Sequence, residues 1–229
     1  PTASQDALKQ LACLGHSADA SVLAMVLGRS EQETDADLRE SARAGLVVRL
    51  DDRYRFLHDR IQEAAYSLIA PEEQAEMHLR IGRRLVARMS EAEIAERVFD
   101  VVNQWNRGAS LLTDPGEREA LCRLDALAGK KAKAAIAYGS ARGYLAQATA
   151  LLPEQAWAAQ YEETLTLHLA LSECEYLVGN FQRADELFDL ILRNARSNRD
   201  RARVYRLRMR VHQVSGRYDQ AVTAALDGL

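Results

Sequence analysis

Arg55-Phe56-Leu57-His58-Asp59-Arg60-Ile61-Gln62-Glu63-Ala64-Ala65-Tyr66 joins two different sequence patterns. Upstream the residues read as strand. Downstream the apolar positions fall at helical spacing, and Phe56, Leu57, Ile61, Ala64, Ala65 and Leu68 predict a buried stripe. His58 and Asp59 interrupt its beginning, where a helix N-terminus leaves backbone N–H groups free. The pair admits two readings. In one, Asp59 caps the helix and His58 is a satisfied histidine at the core edge. In the other, His58 donates to a nucleotide phosphate from a neighbouring domain.

Working back from this junction, Leu46 to Leu50, Asp51-Asp52 and Arg53 to Phe56 read as strand, tight polar turn and strand. Before them, residues 4–14 predict a helix capped by Ser4 and stopped by Gly15. Residues 18–27 predict a second, ending at Gly28. A third begins at Ser30 with Glu31 and Glu33 in its first turn, as the helix dipole favours. Three short helices followed by a hairpin predict a winged-helix domain over residues 1–70.

A winged helix raises the question of DNA binding. The third helix, which would read the duplex, carries Glu31, Glu33, Asp35, Asp37 and Glu40 against Arg39 and Arg43. Phosphate neutralisation supplies most of the affinity of such domains, so an acidic reading helix is repelled. Only the wing is basic, with Arg49, Arg53 and Arg55. Nucleic acid is therefore not the expected partner. A fragment of a DNA-binding transcriptional regulator, with effector-binding helical repeats, is the competing reading.

A winged helix whose last strand runs into Phe56-Leu57-His58-Asp59 and then Arg60-Ile61-Gln62-Glu63-Ala64-Ala65-Tyr66 resembles the STAND class of signalling ATPases. Leu57-His58-Asp59 resembles the Met-His-Asp motif of that class, with Leu in place of Met. Residues 46–112, including the stretches FLHDRIQEAAYSLIAPEEQAEMHLRIGRRL and VFDVVNQWNRGASLL, are similar to a bacterial branch of it. In that branch the ATPase and its repeats lie between a serine/threonine kinase-like domain and sensor and histidine-kinase domains. The resemblance implies that His58 touches the β-phosphate of ADP and holds a resting state, with Asp59 as its structural partner. It also implies an upstream P-loop domain in the same protein, which would hold ATP or ADP.

Residues 71–120 read as linking helices. Pro71 starts one, with Leu79, Ile81, Leu85, Val86 and Met89 inside and Arg80, Arg83, Arg84 and Arg88 on a solvated face. Residues 91–112 predict another, burying Ile94, Val98, Val101, Val102 and Trp105. Asn103, Gln104 and Asn106 read either as a polar contact surface or as groups that satisfy neighbouring helix ends.

From residue 121 the sequence repeats. Tyr138, Phe181 and Tyr218 each stand three residues before Ala141, Ala184 and Ala221, and Gly179 and Gly216 precede their aromatics by two. Gly129 falls where a tetratricopeptide repeat wants a small residue for close helix contact, and Leu145, Phe188 and Ala225 take the next packing position. The aromatic spacings are 43 and 37 residues, longer than the ~34 of that repeat. The units expected are 122–155, 165–198 and 202–229, the last one cut short. The fold class is thus mainly α: a winged helix followed by an α-α superhelix of repeats, with a concave groove for a protein partner or another protomer. By resemblance to the tetratricopeptide repeat, Arg203, Arg206 and Arg210 occupy groove-lining positions. They either hold an acidic peptide or phosphate by paired N–H bonds, or form a solvated face neutralised by residues such as Glu173 and Glu175.

Composition bounds the rest. The chain has 229 residues, 48% of them apolar, and a net charge of −3 that draws it to no polyanion. Cys13, Cys122 and Cys174 are far apart and odd in number, which predicts reduced thiols and a cytoplasmic protein. No apolar run approaches a membrane span. Ala128-Gly129-Lys130-Lys131 lacks the spacing and hydroxyl of a P-loop, and the histidines and cysteines show no metal-ligand spacing. No catalysis, cofactor or metal is expected of these residues themselves, which read as one segment of a longer protein.

Overall fold

In the computed structural model, which describes residues 2–228, α1 (Thr2–Leu14) is followed by a short strand, β1 (Ser17–Asp19). The helices α2 (Ala20–Leu27) and α3 (Glu31–Arg43) come next, then β2 (Val47–Leu50) and β3 (Arg53–Phe56). Ser30 caps α3 through a capping box with Glu33, which satisfies two otherwise orphaned backbone donors. The helices and hairpin lie in the expected order, and β1 is an addition. It pairs antiparallel with β3, so the sheet order is β1-β3-β2. Three residues of Ser-Ala-Asp carry no alternation from which a strand can be read. The hairpin turns at Asp51, whose φ is +50°, as a tight two-residue connection demands. Leu11, Leu23, Leu38 and Phe56 are fully buried beneath the sheet and helices.

The chain continues through α4 (Asp59–Ser67), α5 (Pro71–Arg88), α6 (Glu91–Glu96) and α7 (Val98–Arg107) to a 3₁₀ turn at Ala109–Leu111. The helix expected over 91–112 is broken at Arg97, which leaves helical geometry at φ −100°, ψ 26°. Its inner face is otherwise as expected, with Val98, Val101, Val102 and Trp105 buried. Close approach of α5 and α7 depends on glycine: a Cβ on Gly82 would lie 2.9 Å from Trp105 Cδ1. The arginines of α5 are not all solvated. Arg84 is half-buried and donates to the Val26 carbonyl at the end of α2, one of the acceptors a helix C-terminus leaves open.

The chain divides into two compact units, one ending at Pro115 and the other beginning at Gly116. The second contains α8 (Pro115–Ala134), α9 (Tyr138–Leu151), a four-residue helix α10 (Ala156–Ala159), α11 (Tyr161–Leu177), α12 (Phe181–Asn194), α13 (Asn198–Val214) and α14 (Tyr218–Asp227). Three helix pairs therefore repeat: α8 with α9, α11 with α12, and α13 with α14. Their first helices start upstream of the expected unit bounds, at 115, 161 and 198. Tyr138, Phe181 and Tyr218 each open a second helix, and Ala141, Ala184 and Ala221 are buried within the pairs. Leu145 and Phe188 are buried at the next packing position, whereas Ala225 is half-buried.

One backbone device makes all three turns. The N–H groups of Ile136 and Ala137 bond to Lys133 O and Ala132 O, those of Gly179 and Asn180 to Tyr176 O and Glu175 O, and those of Gly216 and Arg217 to Gln213 O and His212 O. This is a Schellman cap, whose C′ residue must be left-handed. Gly179 and Gly216 meet that demand at φ +89° and +75°, and Ile136 takes the same role at φ +63°.

Candidate functional site

The start of α4 is held by the sheet. Phe56 N–H donates to His16 O, and Leu57 N–H to Leu46 O, so both flanking segments of the domain fix the chain that enters the helix. His58, not Asp59, is the N-cap residue, in extended geometry and without a side-chain cap bond. Both side chains are exposed. Asp59 points to His16, with 3.0 Å between His16 Nδ1 and the carboxylate. No side-chain partner of His58 is found among the described residues. The expected stripe is also rotated. Phe56, Ala65 and Ile69 are buried, while Leu57 and Leu68 are 43% and 53% exposed and Ala64 is exposed. His58 therefore sits on an open surface with Leu57 beside it.

From this exposed start, α4 runs into a buried polar chain. Tyr66 Oη donates to His78 Nε2 at 3.0 Å, and His78 Nδ1–H donates to Gln104 Oε1 at 2.7 Å. The Gln104 amide donates in turn to Cys13 O at 2.8 Å, at the end of α1. An amide oxygen only accepts, so this order fixes His78 as the neutral Nδ1–H tautomer. Burial, with Arg107 nearby, holds its pKa below 6.5. Of the two readings of Asn103, Gln104 and Asn106, Gln104 follows the second: it satisfies a helix end.

The acidic face of α3 is answered from within. Arg49 of the β2–β3 hairpin pairs with Asp35 and, at 3.7 Å, with Glu31. The Tyr54 hydroxyl donates to Asp35 and, as the largest cause, lowers its pKa. Arg53 pairs with Asp19 at 3.3 Å. Of the hairpin arginines Arg49, Arg53 and Arg55, the first two are thus committed to carboxylates, and phosphate would have to compete for them.

In the second unit, Arg203, Arg206 and Arg210 line one groove. It has a volume of about 630 Å³ and is completed by Lys133 of α8, Glu173 of α11 and Leu207 of α13. That is within the range of clefts that hold ligands, about 300–1,000 Å³. Arg210 pairs with Glu173 at 3.0 Å, and Arg203 with Glu162 at 3.5 Å and Asp200 at 3.8 Å. Glu175 faces elsewhere, 4.0 Å from Arg142 and hydrogen-bonded to Asn180. Arg206 is exposed and forms no ion pair among the described residues. Two participants escape a reading of the sequence. His16 lies 43 positions before Asp59, across the strand too short to predict. Lys133 stands five residues before Tyr138, on the first helix of its unit, and that repeat position was the available signal.

Comparison with known proteins gives limited matches. No protein-family model matches the chain. Hybrid signal transduction histidine kinase G of Dictyostelium discoideum is 28% identical over 201 residues, which is 77% of this chain and 6% of that protein. The chain thus spans a small fraction of the curated relative it matches. Among solved structures, the chain is similar to a Signal Transduction ATPase with Numerous Domains protein with a tetratricopeptide repeat sensor from Pyrococcus horikoshii. The TM-score is 0.39 at 15% identity, over 99% of this chain and 37% of that one. Among the described residues no helix is long and apolar enough to cross a membrane.

Proposed function

We propose that the chain is a non-catalytic regulatory and scaffold segment of a STAND-type signal-transduction ATPase. The winged-helix region at its start leans on a P-loop domain of the same protein, which holds ATP or ADP. His58 reads the phosphates of that nucleotide, with Asp59 as its structural partner. The repeats carry a protein partner in the groove lined by Arg203, Arg206 and Arg210. Catalytic output belongs to other domains of the parent, of ATPase and kinase type.

The observation that carries this reading is the His58 ring, without a partner among the described residues, at a helix start that the sheet fixes in place. A histidine with no partner in its own domain keeps a ring N–H for an anion brought by another. The match to a signalling histidine kinase supports the setting. The test is the nucleotide content of the purified parent protein. His58→Ala should release bound ADP and raise signalling output; ADP content equal to that of the unsubstituted protein would count against the proposal.

A further inference from the structure

Glu173 stands out among the residues of the repeat groove. Its side chain is 16% exposed, and each carboxylate oxygen has its own cation: Oε2 lies 2.5 Å from Lys133 Nζ, and Oε1 lies 3.0 Å from an Arg210 guanidinium nitrogen. Those cations come from α8 and α13, the first helices of the pairs before and after the one that carries Glu173. One carboxylate thus ties together the first helices of all three pairs. Among the described residues lining the groove it is the only acid, against Lys133, Arg203, Arg206 and Arg210. Arg203 is turned to Glu162 and Asp200, which leaves Arg206 as the groove cation without a counter-ion among the described residues.

We infer that Glu173 is a built-in competitor of the groove, and that the partner is an acidic peptide whose carboxylate displaces it from Lys133 and Arg210 after first engaging Arg206. This rests on the proposal that the repeats bind a protein in this groove, and adds what regulates that binding. The physical argument is like-for-like exchange. The Lys133–Arg210 pair already shows how the groove seats a carboxylate, by one charge-assisted bond to each oxygen. An incoming carboxylate makes the same bonds, so displacement exchanges equivalent contacts. The net gain comes from Arg206, whose fork-shaped donor array is matched to a carboxylate. Affinity is consequently held down by Glu173 and set by the unpaired arginine.

The test uses the whole chain and a fluorescein-labelled hexaglutamate peptide, with hexaglutamine as the uncharged control, read by fluorescence anisotropy at low salt. Hexaglutamate should bind, hexaglutamine should not, and added salt should weaken the complex. Glu173→Gln should tighten hexaglutamate binding about fivefold, the scale of removing one or two half-exposed ion-pair competitors. Arg206→Gln should weaken it by a similar factor. A second readout leaves residue 173 untouched: the carboxyl ¹³C resonance of Glu173 should move as peptide is added. If Arg206→Gln weakens binding but Glu173→Gln does not tighten it and the Glu173 resonance stays still, the competitor is refuted while the groove stands. If hexaglutamate binds neither the unsubstituted chain nor Glu173→Gln, or binds without regard to Arg206, the groove reading falls too.

Discussion

Ile136 is a β-branched residue at φ +63°, with its side chain 72% exposed. L-residues other than glycine and asparagine rarely adopt that region, at a cost of about 1–2 kcal/mol. The exposure means that packing recovers little of it. Ile136→Gly should therefore stabilise the second unit by about 0.5–1 kcal/mol, after the greater backbone entropy of glycine in the unfolded chain is subtracted. A rise in the urea midpoint at unchanged slope checks this; a fall would mean that the isoleucine makes contacts that outweigh its backbone strain. The cysteines illustrate the opposite case, residues whose surroundings suppress them. All three are buried and free, and burial raises Cys122 and Cys174 to about 11 and Cys13 to about 12. The folded protein should leave them unmodified by iodoacetamide at pH 8, with labelling only on unfolding. The sequence shows such single-residue features unevenly. Gly179 and Gly216 announce their turns by identity, but nothing marks Ile136 as the third member until the repeat is aligned. His58 and Asp59 were visible as an oddity, yet which of them caps α4 depends on where β3 ends.

At the level of elements, helix pairs meet over glycine. A Cβ on Gly129 would lie 2.6 Å from Leu145 Cγ, so α8 and α9 touch at the place the repeat pattern indicates. Gly129→Ala should cost about 1–3 kcal/mol through overpacking. Leu145→Ala on the same background should return part of that loss, because the two residues share one contact. Fully additive losses in thermal unfolding would mean that the residues act separately. In the first unit, Gln104→Leu should cost a similar 1–3 kcal/mol for each group it leaves unbonded, His78 Nδ1–H and Cys13 O. This polar chain was beyond the reach of the sequence. Tyr66, His78, Gln104 and Cys13 lie on four different helices, and only the packing of those helices brings them together. The repeated helices are legible for the converse reason: their aromatic and alanine positions recur together, at intervals of 43 and 37 residues. The face around α4 departs from the expected stripe because Leu57, Ala64 and Leu68 keep helical spacing while facing outward; periodicity does not say which side of a helix is covered.

For the molecule as a whole, acid should act on both units. His78 in the first, and His168 and His212 in the second, are buried, and burial lowers the pKa of each from 6.5. The unfolded chain therefore binds more protons than the folded one as pH falls below about 6.5. The stability these neutral histidines contribute is complete above that pH and is lost progressively below it. Denaturation between pH 7.5 and 5.5 should show a falling midpoint, and His78→Gln should flatten the slope; a midpoint rising toward pH 5.5 would contradict the assignment of neutral, buried rings. The larger claim is that the start of α4 reports the nucleotide held by a neighbouring domain. Hydrogen–deuterium exchange of residues 57–66 in the parent protein, loaded with ADP or with ATP, tests it most directly. Exchange should be slower with ADP, and that difference should be lost in His58→Ala. Identical exchange in the two nucleotide states would contradict it.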